Sequence, residues 1–265
     1  MKYTYGYNIV ISIIGLLLSF PLLAYQSCAI ELSAGLEIKP TSITFFEQNT
    51  GKQKSKLALY TINDNESLLI SGEKISLTLE QSILIDAYDT HIRQLVPKVN
   101  SIAIEGVDLA IEGVGISFNS LLGEGNTVGQ ELITELKELR QKIDVSLSNQ
   151  HEIIIAVEGL ESDTLLGEDF ELRIESAMRK AIMGSMGSLL VALGKQMIND
   201  DELGFDNKID TFSQTIEREM ESRVKIIEGK VEQLCSDFIK LEMIETQLQG
   251  KIAQLQPINV FNVSH

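Results

Sequence analysis

The sequence predicts an α+β fold: a small N-terminal antiparallel β-meander followed by a bundle of long amphipathic helices. Three observations carry that expectation. Between Asp210 and Leu255 the apolar residues recur at steps of three and four, from Phe212, Ile216 and Met220 to Leu248, Ile252 and Leu255. Held over roughly 45 residues, that spacing describes one stripe along a single helix about 65–70 Å long. Between Cys28 and Ser76 the period changes to short apolar runs cut by turn residues, the signature of strands in a meander. Finally, tryptophan is absent and aromatics are few, which suits helices packed by Leu, Ile, Val and Met.

The first residues read as an export signal. Met1–Asn8 carries Lys2 and no acid, Ile9–Phe20 is almost wholly apolar, and Pro21-Leu22-Leu23-Ala24 ends the run. A positive start, an apolar core and a small residue make a secretory signal at 1–24. Cleavage after Ala24 is expected; cleavage after Ala29 fits locally but discards Cys28. A retained anchor is disfavoured, because the run falls short of the roughly 20 residues a spanning helix needs. A lipoprotein is disfavoured too, since Tyr25-Gln26-Ser27 before Cys28 lacks the aliphatic residue that lipidation requires. The sequence therefore divides into a signal at 1–24, a β-meander at 25–77 and a helical region at 78–265 with a possible strand at 151–157.

The meander runs are Ala29–Leu32, Ile43–Phe46, Leu57–Ile62 and Ser67–Ile70, divided by Lys39-Pro40, Asn49–Lys52 and Asn63–Asn65. Ser71-Gly72-Glu73-Lys74 reads as the tip of a hairpin leading to Ile75–Leu77. Thr78-Leu79-Glu80-Gln81 is a capping-box pattern that opens the first helix, and Pro97 is expected to kink that helix or start a new one. Ile104-Glu105-Gly106-Val107 recurs seven residues on as Ile111-Glu112-Gly113-Val114, giving a heptad-like face. After a turn at Gly123–Asn126, Val128, Leu132, Leu136, Leu139, Ile143 and Leu147 outline another amphipathic helix. His151–Val157 is rich in β-branched residues and reads as a strand able to join the sheet. A further helix is expected from Leu166 to Ile198. Gly184, Ser188 and Ala192, like Ala177, Ala181 and Ser185, fall at four-residue steps that admit a close neighbour. That helix reads as buried under the long one; the sharper alternative is a segment, Ala181–Gly194, that contacts lipid. Ile258–Val263 is left open between a strand and a loose tail.

Charge and motifs narrow the function classes. The formal net charge is −16. Without residues 1–24, 21 basic residues face 38 acidic ones, a charge of −17. Such a balance argues against nucleic acid and anionic lipid surfaces as primary partners. Two cysteines in an exported chain are most simply one disulfide, Cys28 to Cys235, against the alternative of two free thiols. Asn199–Asp210 is acidic, reads as a loop and half resembles a calcium loop centred on Gly204, with Leu203 where an oxygen ligand belongs. A solvated linker that also caps the last helix with Asp210 is the better reading. His91 reads as a partly buried structural histidine; His151 and His265 offer no catalytic arrangement. No nucleophile elbow, zinc-helix motif, phosphate loop or Cys-x-x-Cys occurs, so no catalytic, cofactor-binding or metal residues are assigned.

Leu77-Thr78-Leu79-Glu80-Gln81, with Tyr88, Ile92-Arg93 and Leu95-Val96-Pro97, resembles the start of the helical part of the YggN-like family, exported gammaproteobacterial proteins carrying a domain of unknown function. Cys28, the short strands, the Gly-rich Ala177–Gly194 helix and Leu234-Cys235-Ser236 fit the same pattern. The resemblance covers nearly all of the chain after the signal. It implies a periplasmic location and paired cysteines, and it supplies no catalytic residue.

The expected function is a periplasmic, non-enzymatic interaction or structural protein of the cell envelope, with an envelope protein as partner and no cofactor. Two alternatives stand beside it. One is a membrane-active helical protein using 181–194; the other is a hydrolase or metal-dependent enzyme with a spatially assembled acidic site.

Overall fold

The structure, a computed structural model, describes residues 28–48, 56–64, 67–122, 127, 129–148, 152–157, 159–160, 170–198 and 202–264. The expected signal segment, the Gly123–Asn126 turn, His151 and His265 lie outside them. Nine strands and four α-helices are found among the described residues, in an α+β arrangement.

Seven strands form one antiparallel sheet: β2 (Gly35–Lys39), β3 (Ser42–Gln48), β4 (Lys56–Asn63), β5 (Ser67–Ile70), β6 (Glu73–Ile75), β7 (Ile153–Ala156) and β8 (Gly159–Leu160). Their order is β6-β5-β4-β3-β2-β7-β8. β2 to β6 pair antiparallel in sequence order, a meander, and its strands alternate. Leu36 and Ile38, Ile43 and Phe45, Tyr60 and Ile62 are buried on one face, while Glu37 and Thr44 point the other way. The β5–β6 hairpin turns on Ser71 and Gly72, both at positive φ (50° and 83°), as the twist of a two-residue hairpin demands. Gly35 is required for a different reason: a Cβ there would lie 2.2 Å from the Phe46 ring that covers it.

The first run, β1 (Ala29–Leu32), is not part of the meander. It pairs antiparallel with β9 (Phe261–Ser264) in a separate two-stranded ribbon, Leu32 opposite Phe261. The tail segment is therefore ordered, and the two ends of the described chain meet. β2, absent from the runs read in the sequence, takes an interior place instead, between β3 and β7.

The helices are α1 (Leu79–Leu122), α2 (Gln130–Ser146), α3 (Phe170–Ile198) and α4 (Glu202–Lys251). The capping box forms in full. Thr78 N donates to Gln81 Oε1 at 2.8 Å, and Gln81 N to Thr78 Oγ1 at 3.3 Å. Gln81 Nε2 also donates to the Lys251 carbonyl, and Lys251 Nζ to Glu80, so the start of α1 is tied to the end of α4. α1 neither ends nor restarts at Pro97; it runs as 44 residues with the proline inside. Leu95 and Val96 are buried just before it, and that packing holds the helix together across the missing hydrogen bond. α4 is 50 residues long, or about 75 Å at 1.5 Å per residue.

The core lies between the sheet and the first half of α1 with the last half of α4. Ile85, Tyr88, Ile92, Leu95 and Val96 meet Leu241, Leu248 and Ile252 over the strands. Phe45 stacks on Tyr60 at 4.3 Å between ring centroids. α2 packs on α1 through Arg140–Asp108, and α3 on α2 through Arg173 with Glu135 and Glu138 and Lys180 with Glu131.

Two further expectations are corrected. Residues 202–210 are helical backbone, the start of α4, and not a loop. Asn199–Asp201 lie outside the described residues. In α3, Ala177 and Ala181 are buried, but Leu172, Met178, Ile182, Met183 and Met186 are exposed. That face is not the buried helix the small-residue spacing implied.

Candidate functional site

Cys28 and Cys235 are joined, with Cα atoms 6.0 Å apart and a sequence separation of 207. The bond fastens the start of β1 to the middle of α4. On the chain-entropy account a loop this long is worth about 5 kcal/mol.

Below the disulfide, α4 turns a carboxylate into the core. Leu241, Glu245, Leu248 and Ile252 follow at steps of four, three and four, and all are buried. Glu245 is only 3% exposed. One oxygen accepts from Val260 N at 2.9 Å and Tyr88 OH at 3.2 Å; the other accepts from Phe261 N at 3.1 Å. The Tyr60 and Tyr88 hydroxyls stand 3.5 Å apart. Burial pushes the Glu245 carboxyl up, opposed by the hydrogen bonds from Phe261, Val260 and Tyr88. Burial likewise pushes both tyrosines well up, so they stay neutral phenols. Both carboxylate oxygens are occupied by the chain's own donors. Glu245 serves as the anchor for the backbone entering β9.

Asp237, the other acid buried among the described residues, has a different environment. It pairs with Lys98 from α1 and with Lys240 at 3.1 Å, and accepts from Gln233 Nε2 at 3.3 Å. Burial pushes its carboxyl up, but the two lysines outweigh it and hold the group below the usual aspartate range. His91 Nε2 donates to the Asp237 carbonyl oxygen at 2.9 Å, since a carbonyl can only accept. His91 is partly buried, as expected, and this bond ties α1 to α4.

Lys98–Asp237 is the first rung of a ladder. Glu105 pairs with Lys230, and Glu112 with Arg223 at 2.9 Å. The partners advance by seven residues on α1 and retreat by seven on α4, so the two helices run antiparallel. The duplicated Ile-Glu-Gly-Val is the α1 side of this ladder. A groove of about 310 Å³ lies between the rungs, lined by Asp108, Leu109, Ile226 and Ile227 as well as the paired charges.

Nearer the sheet, α1 and α4 frame an apolar cleft of about 250 Å³. One wall is the sheet: Leu36 and Ile38 on β2 stand opposite Ile155 and Ile153 on β7. The facing wall is Ile92, Leu95, Val96 and Val99 of α1 with Phe238 and Leu241 of α4. Leu147 closes one side; Ile30, Leu32 and Phe261 of the β1–β9 ribbon close another. All fourteen lining residues are aliphatic or aromatic. Protein interiors seldom keep voids larger than a water molecule.

A family model described as "Protein of unknown function (DUF2884)" matches residues 28–261. The chain belongs to this family. No curated protein and no solved structure matches it. The DUF2884 span opens at Cys28 and closes at Phe261, so it takes in the disulfide, the ion ladder, the apolar cleft and the Glu245 anchor.

The residues that carried the resemblance acquire roles in this DUF2884 chain. Thr78 and Gln81 form the cap, and Tyr88 reaches Glu245. Arg93 Nη1 donates to the Lys39 carbonyl at 2.7 Å, pinning α1 to the β2–β3 turn. Glu245 was missed from sequence, although a signal existed: an acid at a stripe position between Leu241 and Leu248. Among the described residues no group of three or more His, Cys, Asp or Glu is placed to hold a metal ion.

Proposed function

We infer that this chain is a non-enzymatic interaction or structural protein of the cell envelope, a YggN-like protein of gammaproteobacterial type that works in the periplasm after loss of residues 1–24. The observation that carries this reading is the Cys28–Cys235 bond, which belongs to an oxidising compartment. Binding is favoured over catalysis because both buried acids, Asp237 and Glu245, are engaged by the chain's own donors. The partner surface is the outer half of the α1–α4 pair, where Val224, Ile226 and Val231 are exposed beside the ladder. An amphipathic helix of an envelope protein laid along it is the fitting mode.

The test is a pulldown from an envelope extract with the wild type and a Val224→Ser, Ile226→Ser variant. A partner captured by the wild type and lost by the variant is expected. No partner, or equal capture by both, contradicts the reading. Fractionation with a non-reducing mass map checks compartment and mature N-terminus together.

A second reading is favoured by one observation, the exposed Leu172, Met178, Ile182, Met183 and Met186 on α3. Such a face would suit contact with lipid. No described helix is long and apolar enough to cross a membrane. Liposome flotation at neutral and acidic pH decides: flotation at either supports membrane contact, and failure at both removes it.

A further inference from the structure

We propose that the cleft between the sheet and the α1–α4 pair is a binding site for the alkyl chain of a single-chain amphiphile with an uncharged head group. The ligand enters chain first and leaves its head in water. Every side chain lining the cleft is apolar, so it offers nothing to a polar or charged ligand atom. Its volume of about 250 Å³ exceeds the ~150 Å³ of an apolar cavity that stays dry and takes up benzene. Water gains no partners on these walls.

The floor and the rim differ in a way that orients a ligand. Leu36, Val96, Ile153 and Leu241 are buried, whereas Ile30, Val99, Ile155 and Phe238 are half-exposed. A chain end therefore sits against the floor and the head emerges past the rim. The choice of head follows from charge: a chain of net charge −16 repels an anionic head at its surface. The α3 patch is the competing apolar surface, but it is a convex helix face without an enclosing wall. The inference stands independently of the proposed protein partner, since the cleft lies at the sheet and not on the outer half of the helix pair.

The absence of tryptophan makes a fluorescent test clean. The full-length mature protein is titrated with N-phenyl-1-naphthylamine, and the probe is displaced by 1-decanol or by decanoate. One probe per chain is expected, displaced by decanol at concentrations at least tenfold below those needed for decanoate. Val96→Phe fills the cleft and should weaken probe binding at least tenfold without lowering the thermal midpoint. Val99→Phe at the rim is the second variant should Val96→Phe not fold, with the same loss expected. The double variant Leu172→Ser, Met183→Ser on α3 should bind as the wild type does. No saturable binding by the wild type, full binding by the cleft variants, or loss in the α3 variant would each overturn the site. Equal displacement by decanoate would overturn the head-group assignment.

Discussion

The α1–α4 pair has two halves that the same sequence periodicity builds and that packing treats differently. Near the sheet, α1 up to Val96 and α4 from Cys235 onward contribute Ile85, Tyr88, Ile92, Leu241, Glu245 and Leu248 to the core, and the disulfide marks the border. Beyond that border no residue whose side chain is described, from Pro97 to Asn119 on α1 or from Gln214 to Leu234 on α4, is buried. There the helices are joined by ion pairs such as Glu105–Lys230 and Glu112–Arg223, each at least three-tenths exposed. The difference teaches that a stripe at steps of three and four specifies a helix and a facing partner, not burial. The inner half draws its stability from the core; the outer half has surface to spare.

Loss of the border bond should have the largest effect. Cys28→Ser with Cys235→Ser is expected to cost up to about 5 kcal/mol, read as a shift in the urea midpoint. A change under about 1 kcal/mol would mean the inner half does not depend on its fastening. Next comes Glu245→Gln. The amide presents N–H where Glu245 accepts from backbone N–H, leaving one buried donor unmatched, at about 1–3 kcal/mol.

The two buried acids separate further with pH. The folded-state pKa of Glu245 is raised, so its contribution is complete below the usual glutamate value and is lost as pH rises through the raised one. That of Asp237 is lowered, so its contribution is present above the usual aspartate value and is lost as pH falls through the lowered one. Denaturant unfolding across acidic to neutral pH should show the stability gap between wild type and Glu245→Gln narrowing as pH rises. For Asp237→Asn the gap should narrow as pH falls below about 4.

The smallest effect belongs to the outer half. Glu105→Gln should cost well under 1 kcal/mol, as exposed pairs do, and less still in high salt. Double-mutant cycles with Lys230→Met measure it. A coupling above 2 kcal/mol would place this rung among the supports of the fold.

Much of this architecture was legible in the sequence because it is local. The Thr78–Gln81 cap, the Ser71-Gly72 turn, the three- and four-step stripes and the alternating strands are each written within a few residues. The pairing of β1 with β9 was not, since it joins segments more than two hundred residues apart and depends on α4 lying between them. Pro97, Gly204, Asp206 and Asn207 disfavour helix one by one, yet each sits in a long helix whose continuation outweighs a local penalty. The Glu245 anchor was hidden for the same reason as β9: its meaning lies in the Val260 and Phe261 N–H groups that it receives. The cleft is a gap between elements and has no sequence pattern of its own.

Residue-resolved hydrogen exchange along α1 and α4 tests the division most directly. Amides at 85–96 and 235–252 should exchange only through global unfolding, while those at 100–118 and 214–232 open at lower free energy. Equal protection along both helices, or a better-protected outer half, would contradict the account.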